Sequence, residues 1–309
     1  MILAPGTRSG TSATRTLTAL LIATVLPVAA LAQTAAPTRL FVDATSASGA
    51  EVPDLGAADF QVFEGGEPRA IASVTRTRRP ARIVLVVDAT DAIRQPVGQI
   101  RSAMTAFLEA VDPAHEMMFV TVAGTPQVRV QPTVDRQPML KAAAGLFGTS
   151  GANTMHRHID DLFHRFGRTT ASRPIFVVVT TEGFESTENI NPQQITHVSD
   201  HFVSRGGTLH AIRLMVPLTG QTFRGGALTE LPVSLMIGRD TGGAYTNTSA
   251  NGLLEVLQRL ASVINGALEE TPMSYQVDYA GAAVKSRKPS APDVRVMREG
   301  VQLKVFSTP

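Results

Sequence analysis

Three oxygen-bearing turns are the first features of this chain with chemical meaning. The apolar run Ile83-Val-Leu-Val-Val87 passes directly into Asp88-Ala-Thr-Asp-Ala92. A second run, Ile175-Phe-Val-Val-Val179, ends in Thr180-Thr-Glu-Gly183, and between the two lies Gly151-Ala-Asn-Thr154 at the start of a helical stretch. All three fall where strands end, and open α/β sheets bind ligands at the carboxyl ends of their strands. Histidines supply a second set of candidates. His156, Asp160 and His164 recur at four-residue spacing, and His197 and His201 stand one helical turn apart. Two such histidines can share a zinc ion. The stretch His-Val-Ser-Asp-His lacks the glutamate of a metalloprotease helix, so both sets read as solvated polar faces. No nucleophile elbow, phosphate-binding loop or dinucleotide-binding glycine fingerprint is present.

The elements that must position these turns alternate between strand and helix. Continuous apolar runs at 83–87 and 175–179 predict strands buried on both faces. Glu116–Val122 and Leu209–Val216 read as further strands, with Val128-Arg-Val130 as a short partner. Helical spacing covers Ile100–Val111, Met139–Phe147, Met155–Phe166, Gln193–Ser204 and Leu253–Ile264, and Gly206-Gly207 is a stop signal for the fourth. This alternation predicts an α/β fold, a doubly wound and mostly parallel sheet. The ends read differently. Residues 39–75 have period two, with a hairpin around Gly65-Gly66, and 274–306 returns to alternation with a turn at Glu299-Gly300. Arg76-Thr-Arg-Arg-Pro-Ala-Arg82 reads as a solvated linker. Met117, Met118 and Met139 read as core filler.

The N-terminus predicts export. Arg8 and Arg15 precede the apolar stretch 17–32, which closes on Ala30-Leu-Ala32, a small-residue cleavage signal. Of 28 Lys+Arg in 309 residues, two lie in this segment, so cleavage after residue 32 leaves 26 basic against 26 acidic residues. The basic isoelectric point near 9.2 therefore gives no support to a nucleic-acid partner. No membrane span is expected after cleavage. The chain has no Cys, which excludes disulfide scaffolds, thiol catalysis and zinc ribbons. The expected organisation is a signal peptide (1–32), an N-terminal β module and linker (33–79), the α/β domain (80–270) and a β tail (271–309). The end modules are candidates for pairing with each other.

Taken with the three turns, this pattern resembles a von Willebrand factor type A domain over about residues 80–268. Leu235-Met-Ile-Gly-Arg-Asp-Thr-Gly-Gly-Ala-Tyr245 is similar to that family's penultimate helix and its turn into the last strand. The segment Gly49–Arg69 and the β tail resemble flanks of exported bacterial proteins of the VWFA-related Acidobacterial type. The resemblance implies a three-layer, Rossmann-like fold and a protein-binding role. It also implies a metal-ion-dependent adhesion site for Mg²⁺ or another divalent cation, which takes a near-octahedral shell of oxygens. Position by position, Asp88 takes the first acidic place, and Thr90 keeps a hydroxyl where the family has its first Ser. Asn153 or Thr154 takes the loop Thr position, and Glu182 replaces an Asp. Ala92 stands where a second Ser belongs and offers no oxygen, so the site is degenerate. The other reading of Asp88 and Thr90 is a turn that caps the following helix.

Residues 217–232 follow the strand ending at Val216 and emerge on the same edge. They read either as a partner-recognition loop with Phe223 and Arg224 as anchors, or as an insertion without a partner. The expected function is an exported, periplasmic or extracellular binding or scaffold protein, not an enzyme, that meets a protein partner at the carboxyl edge of its sheet. The alternatives are a structural component of an envelope assembly and a metal-dependent hydrolase.

Overall fold

Hydrophobic strands ending in polar turns fold here into a six-stranded sheet, seen in a computed structural model of the chain. The structure describes residues 38–151, 155–181, 192–215, 233–281 and 291–307. The proposed signal segment, Asn153, Thr154, Glu182, Phe223 and Arg224 lie outside the described residues.

In chain order the strands and helices are β1 (Thr38–Ser46), β2 (Phe60–Glu64), β3 (Glu67–Arg69), β4 (Ile71–Arg78), β5 (Ala81–Asp88), α1 (Val97–Ala110), β6 (Glu116–Ala123) and β7 (Thr125–Thr133). They continue with α2 (Arg136–Ala144), α3 (Met155–Leu162), β8 (Arg173–Thr181), α4 (Pro192–Ser204), β9 (Thr208–Met215), α5 (Val233–Asp240) and β10 (Tyr245–Ser249). The chain closes with α6 (Leu253–Glu269), β11 (Met273–Tyr279), β12 (Asp293–Val296) and β13 (Val301–Ser307).

The central sheet has the order β10-β9-β8-β5-β6-β7, parallel except for β7. Residues 83–87 of β5 are fully buried because both faces are covered. Ile83, Leu85 and Val87 point into the cluster that holds Ile100, Met104 and Phe107 of α1, Met139 of α2 and Leu257 of α6. Val84 and Val86 point to the opposite side, with Ile159 of α3, Val198 and Phe202 of α4 and Ile237 of α5. Burial of each such side chain stabilises by about 1.5–3 kcal/mol. This is the three-layer α/β architecture that the sequence predicts. Strand order reverses between β5 and β8, which is the switch point where such sheets bind ligands.

Several elements differ in extent from their sequence signals. Strand β7 runs 125–133 rather than 128–130, and its exposed alternate residues hide it among polar types. As a sheet edge it carries Pro126 and Pro132, which block pairing with another chain. Helix α2 begins at Arg136, capped by Asp135, whose side chain accepts a hydrogen bond from the Gln137 N–H. A π-helical turn, Phe163–Gly167, extends α3.

The two flanking β segments share one module. One of its sheets has the order β13-β1-β11-β4 and the other β12-β2-β3, so each sheet combines strands from both ends of the chain. Their inward residues, Leu40, Val42, Phe60, Val62, Tyr275 and Val277, form a separate core. The Tyr275 hydroxyl donates to Val52 O at 2.6 Å and accepts from the Leu55 N–H at 3.1 Å. The β2–β3 hairpin turns on Gly65 and Gly66, both at positive φ, as their spacing predicts. Residues 76–82 are not a solvated linker. Arg76 and Arg78 belong to β4 and pair with β11, and Arg79 is only 5% exposed. The basic run misleads because β4 is an edge strand with one face in water.

Candidate functional site

At the switch point the chain places a buried carboxylate. Asp88, 1% exposed, ends β5 and faces the end of β8. Its Oδ1 accepts the Thr90 N–H at 2.8 Å. Its Oδ2 accepts the Thr181 N–H at 3.2 Å and also the Thr181 hydroxyl. Oδ1 thus holds its own turn while Oδ2 bridges to the end of the neighbouring strand β8. A charged acceptor of this kind is worth about 1.5–3 kcal/mol per hydrogen bond. Thr181 is the site residue that the sequence reading missed. Its signal is a hydroxyl residue closing an apolar strand directly before Glu182.

Two further segments close on the Asp88 turn. The Ala89 N–H donates to Val122 O of β6 at 2.8 Å, while Ala89 O accepts the Thr149 N–H at 2.8 Å and its hydroxyl at 3.2 Å. Thr90 and Thr149 form an isolated parallel bridge. The approach is close enough to require glycine. A Cβ on Gly148 would lie 2.8 Å from Thr90 O, and one on Gly151 would lie 2.7 Å from the Ala123 carbonyl. His158 of α3 also bonds Gly124 O at 3.0 Å.

Thr90 is 6% exposed and begins the short helical turn 91–93, but its side chain makes no capping hydrogen bond there. Capping is therefore not its role, and the backbone donor satisfied by Asp88 is that of Thr90 itself. Asp91 does not point inward. Its carboxylate pairs with Arg94 at 2.8 Å and accepts from Ser150 at 3.4 Å, and the side chain is half exposed. Of the expected ligand positions, then, the described part of the site holds the Asp88 carboxylate and the Thr90 hydroxyl. Among the described residues no three His, Asp or Glu side chains are grouped to hold a metal.

The histidines assemble elsewhere. His197 and His201 of α4 meet with ring centroids 4.0 Å apart and ring planes tilted by 59°, and His164 meets His201 edge-on at 5.7 Å. His164 is held by Asp160 at 3.2 Å and by Arg168 at 3.0 Å. His201, partly buried, stacks on Phe163, while His197 and Asp160 on the same face are exposed to solvent. Burial, and then the neighbouring His197, Arg168 and His164, depress the His201 pKa.

Beside the Asp88 turn lies a recess of about 70 Å³ between α2 and the β6–β7 hairpin. Phe119 and Thr121 of β6 line it, with Ala142 and Leu146 on the α2 side and Gln127 and Arg129 of β7 on the other. Phe147, 55% exposed, also lines it.

No family model and no curated protein matches the chain. Among solved structures it is similar to a von Willebrand factor type A protein from Catenulispora acidiphila, at 10% identity over 90% of this chain and 74% of that one, with a TM-score of 0.46. It is also similar to the vWF domain of the type V pili tip protein Mfa5 from Porphyromonas gingivalis, at 10% identity, 62% of this chain, 97% of that chain and a TM-score of 0.45. A third likeness is to the conserved hypothetical protein BatB from Bacteroides thetaiotaomicron, at 12% identity, 62% of this chain, 100% of that chain and a TM-score of 0.44. At such values these are likenesses of outline. The fold itself stands on the strand order and registers of the chain.

Proposed function

We propose that the chain is an exported von Willebrand A-like binding protein that engages a protein partner at the carboxyl edge of its six-stranded sheet and performs no catalysis. The observation that carries this reading is the Asp88 turn. A buried carboxylate at the switch point ties together the ends of β5 and β8, and Gly148 and Thr149 are packed onto the same turn. Such rigid scaffolds present loops for recognition.

A divalent cation at this edge would be held by Asp88 and Thr90 together with Asn153 or Thr154 and Glu182, and would offer a partner carboxylate an open coordination position. In our reading it is not required. Ala92 supplies no oxygen, Asp91 is turned towards Arg94, and Asp88 already accepts from two elements. We count Phe223 and Arg224, which follow β9 in the sequence, among the partner-binding residues of this reading.

Export rests on residues 1–32, with a periplasmic or extracellular destination. Among the described residues no helix is long and apolar enough to cross a membrane. Equal numbers of acidic and basic residues after residue 32 favour a protein over a nucleic acid as the partner. An envelope assembly built by strand pairing is less well supported, because edge strand β4 carries Arg76 and Arg78 and edge strand β13 carries Lys304.

The absence of Cys makes the test clean. Ser150→Cys places one thiol on the carboxyl edge, and Ala114→Cys places one at the opposite edge, before β6. Each is loaded with a photo-crosslinker in the exported protein. A discrete protein adduct from Ser150→Cys alone, retained in chelator, is the expected result. Equal labelling from both positions, or labelling from Ala114→Cys alone, overturns the edge assignment. Loss of the adduct in chelator, together with heat on titrating Mg²⁺, Mn²⁺ or Ca²⁺ that disappears in Asp88→Ala, overturns the cation-independent mechanism.

A further inference from the structure

The recess beside the Asp88 turn has features that packing alone does not account for. Strand β6 presents Met117, Phe119 and Ala123 to one face of the sheet, and Thr121 interrupts this apolar column. Thr121 is only 6% exposed as a residue, its hydroxyl bonds no described residue, and it lines the recess with that hydroxyl within reach of solvent.

The second feature is a β-bulge. Val120 pairs with Val128 and Phe119 with Val130, so Arg129 is the extra residue in β7. A bulge re-aims a side chain, and here the bulged residue lines the recess. Arg129 meets Gln127 at 3.5 Å and forms no ion pair among the described residues. Apolar walls from Phe119, Ala142 and Leu146, a hydroxyl without a partner and an uncompensated guanidinium together describe a receptor for an apolar group that carries an acid.

We propose that this recess binds a segment of a partner protein in which a branched aliphatic side chain is followed by a carboxylate, the side chain entering against Phe119 and Leu146 and the carboxylate meeting Arg129. The inference rests on the carboxyl-edge reading and names the chemistry of the partner. The aliphatic group fills a space of side-chain size, and exposed Phe147 covers it from the side. The carboxylate gains a charge-assisted hydrogen bond at the rim, where a guanidinium can engage it with two parallel N–H groups.

The test is a heteronuclear NMR titration of the chain with acetyl-Ala-Leu-Asp-Ala-amide, using acetyl-Ala-Leu-Asn-Ala-amide and isovalerate as comparison probes. We expect saturable shifts at Thr121, Ala142, Leu146 and Thr149 with the Asp peptide, and binding roughly tenfold weaker with the Asn peptide. Arg129→Gln should remove the difference between the two peptides. Ala142→Leu, a good helix former that fills the recess, should abolish the shifts while the remaining spectrum stays folded. Absence of saturable shifts at these residues overturns the proposal, as does binding unchanged in Ala142→Leu. Isovalerate binding as tightly as the peptide overturns the assignment to a protein segment. A Ser150→Cys adduct with no peptide binding removes the recess alone. Peptide binding with no edge adduct removes the edge reading instead.

Discussion

The two edges of the six-stranded sheet use polar side chains in opposite ways. At the amino edge, buried and partly buried guanidinium groups reach backbone carbonyls. Arg79 donates to Arg205 O at 2.9 Å, Arg173 donates to Arg79 O at 3.3 Å, and Arg205 donates to Thr170 O at 2.5 Å and Ser307 O at 3.3 Å. Arg79 also lies 3.4 Å over the Phe306 ring, beside the small apolar contact of Phe41, Ala171 and Phe306. These bonds lash β13 and the starts of β5, β8 and β9 to one another. Burial depresses the Arg79 pKa to about 10 and lowers those of Arg173 and Arg205. At the carboxyl edge, by contrast, Arg129 and Thr121 face open space and no carbonyl claims them. Charge near backbone that needs partners is structural, and charge near a recess is available for binding. Arginine content alone does not separate the two.

Acid should separate the edges most strongly, because two buried neutral histidines serve the amino side. His115 Nδ1 accepts the Ala81 N–H at 3.0 Å and His210 Nδ1 accepts the Ala244 N–H at 3.0 Å. Desolvation is the main cause that pushes each pKa down to about 4 from 6.5. A group whose folded pKa is depressed leaves stability intact above pH 6.5 and removes it as pH falls towards 4, since only the unfolded chain takes the proton. The loss approaches about 3 kcal/mol per histidine. Urea unfolding at pH 7 and pH 4.5 should show it, and His115→Gln should flatten the dependence by its share. An unchanged slope in that variant would mean that His115 is already protonated when folded.

Steric closure comes next. A Cβ on Gly243, before β10, would sit 1.9 Å from Leu209 O, whereas at Gly151 the nearest backbone atom is 2.7 Å away. Gly243→Ala is expected to cost about 3 kcal/mol or more, with Gly151→Ala nearer the lower end of the 1–3 kcal/mol range. Thermal unfolding of the pair measures the difference. A larger loss at Gly151 would make the carboxyl edge the more rigid of the two.

Asp88→Ala should cost about 2–4 kcal/mol, since it strands the Thr90 and Thr181 donors in a buried site. Asp88→Asn keeps one acceptor and should recover part of that loss in chemical denaturation. If both variants are as stable as the parent, the carboxylate is held at the switch point for a ligand and contributes nothing to holding β5 and β8 together.

Much of this arrangement is legible in the sequence where burial is two-sided. The runs 83–87 and 175–179 announce β5 and β8, and Asp88 is conspicuous because it ends one of them. Legibility fails where one face is wet. Strands β4 and β7 are edges whose outward Arg, Thr and Gln residues look like linker, which is why Arg79 reads as solvated and Arg129 draws no notice. The bulge that aims Arg129 is a matter of register between strands, and register leaves no trace in a single run of residues. Thr181 was within reach of the sequence, but its pairing with Asp88 spans 93 positions.

The mildest comparison uses one substitution twice. Arg173→Gln removes a donor from Arg79 O at the amino edge and should cost about 1 kcal/mol, the ordinary net worth of a hydrogen bond. Arg129→Gln removes an exposed guanidinium whose described hydrogen bond is a 3.5 Å contact with Gln127, and should change stability by less than about 0.5 kcal/mol. Urea midpoints of the two variants against the parent decide the matter. Equal losses would show that Arg129 also braces its hairpin, and the contrast between a clamped edge and a receptive one would then fail at the residue that expresses it most directly.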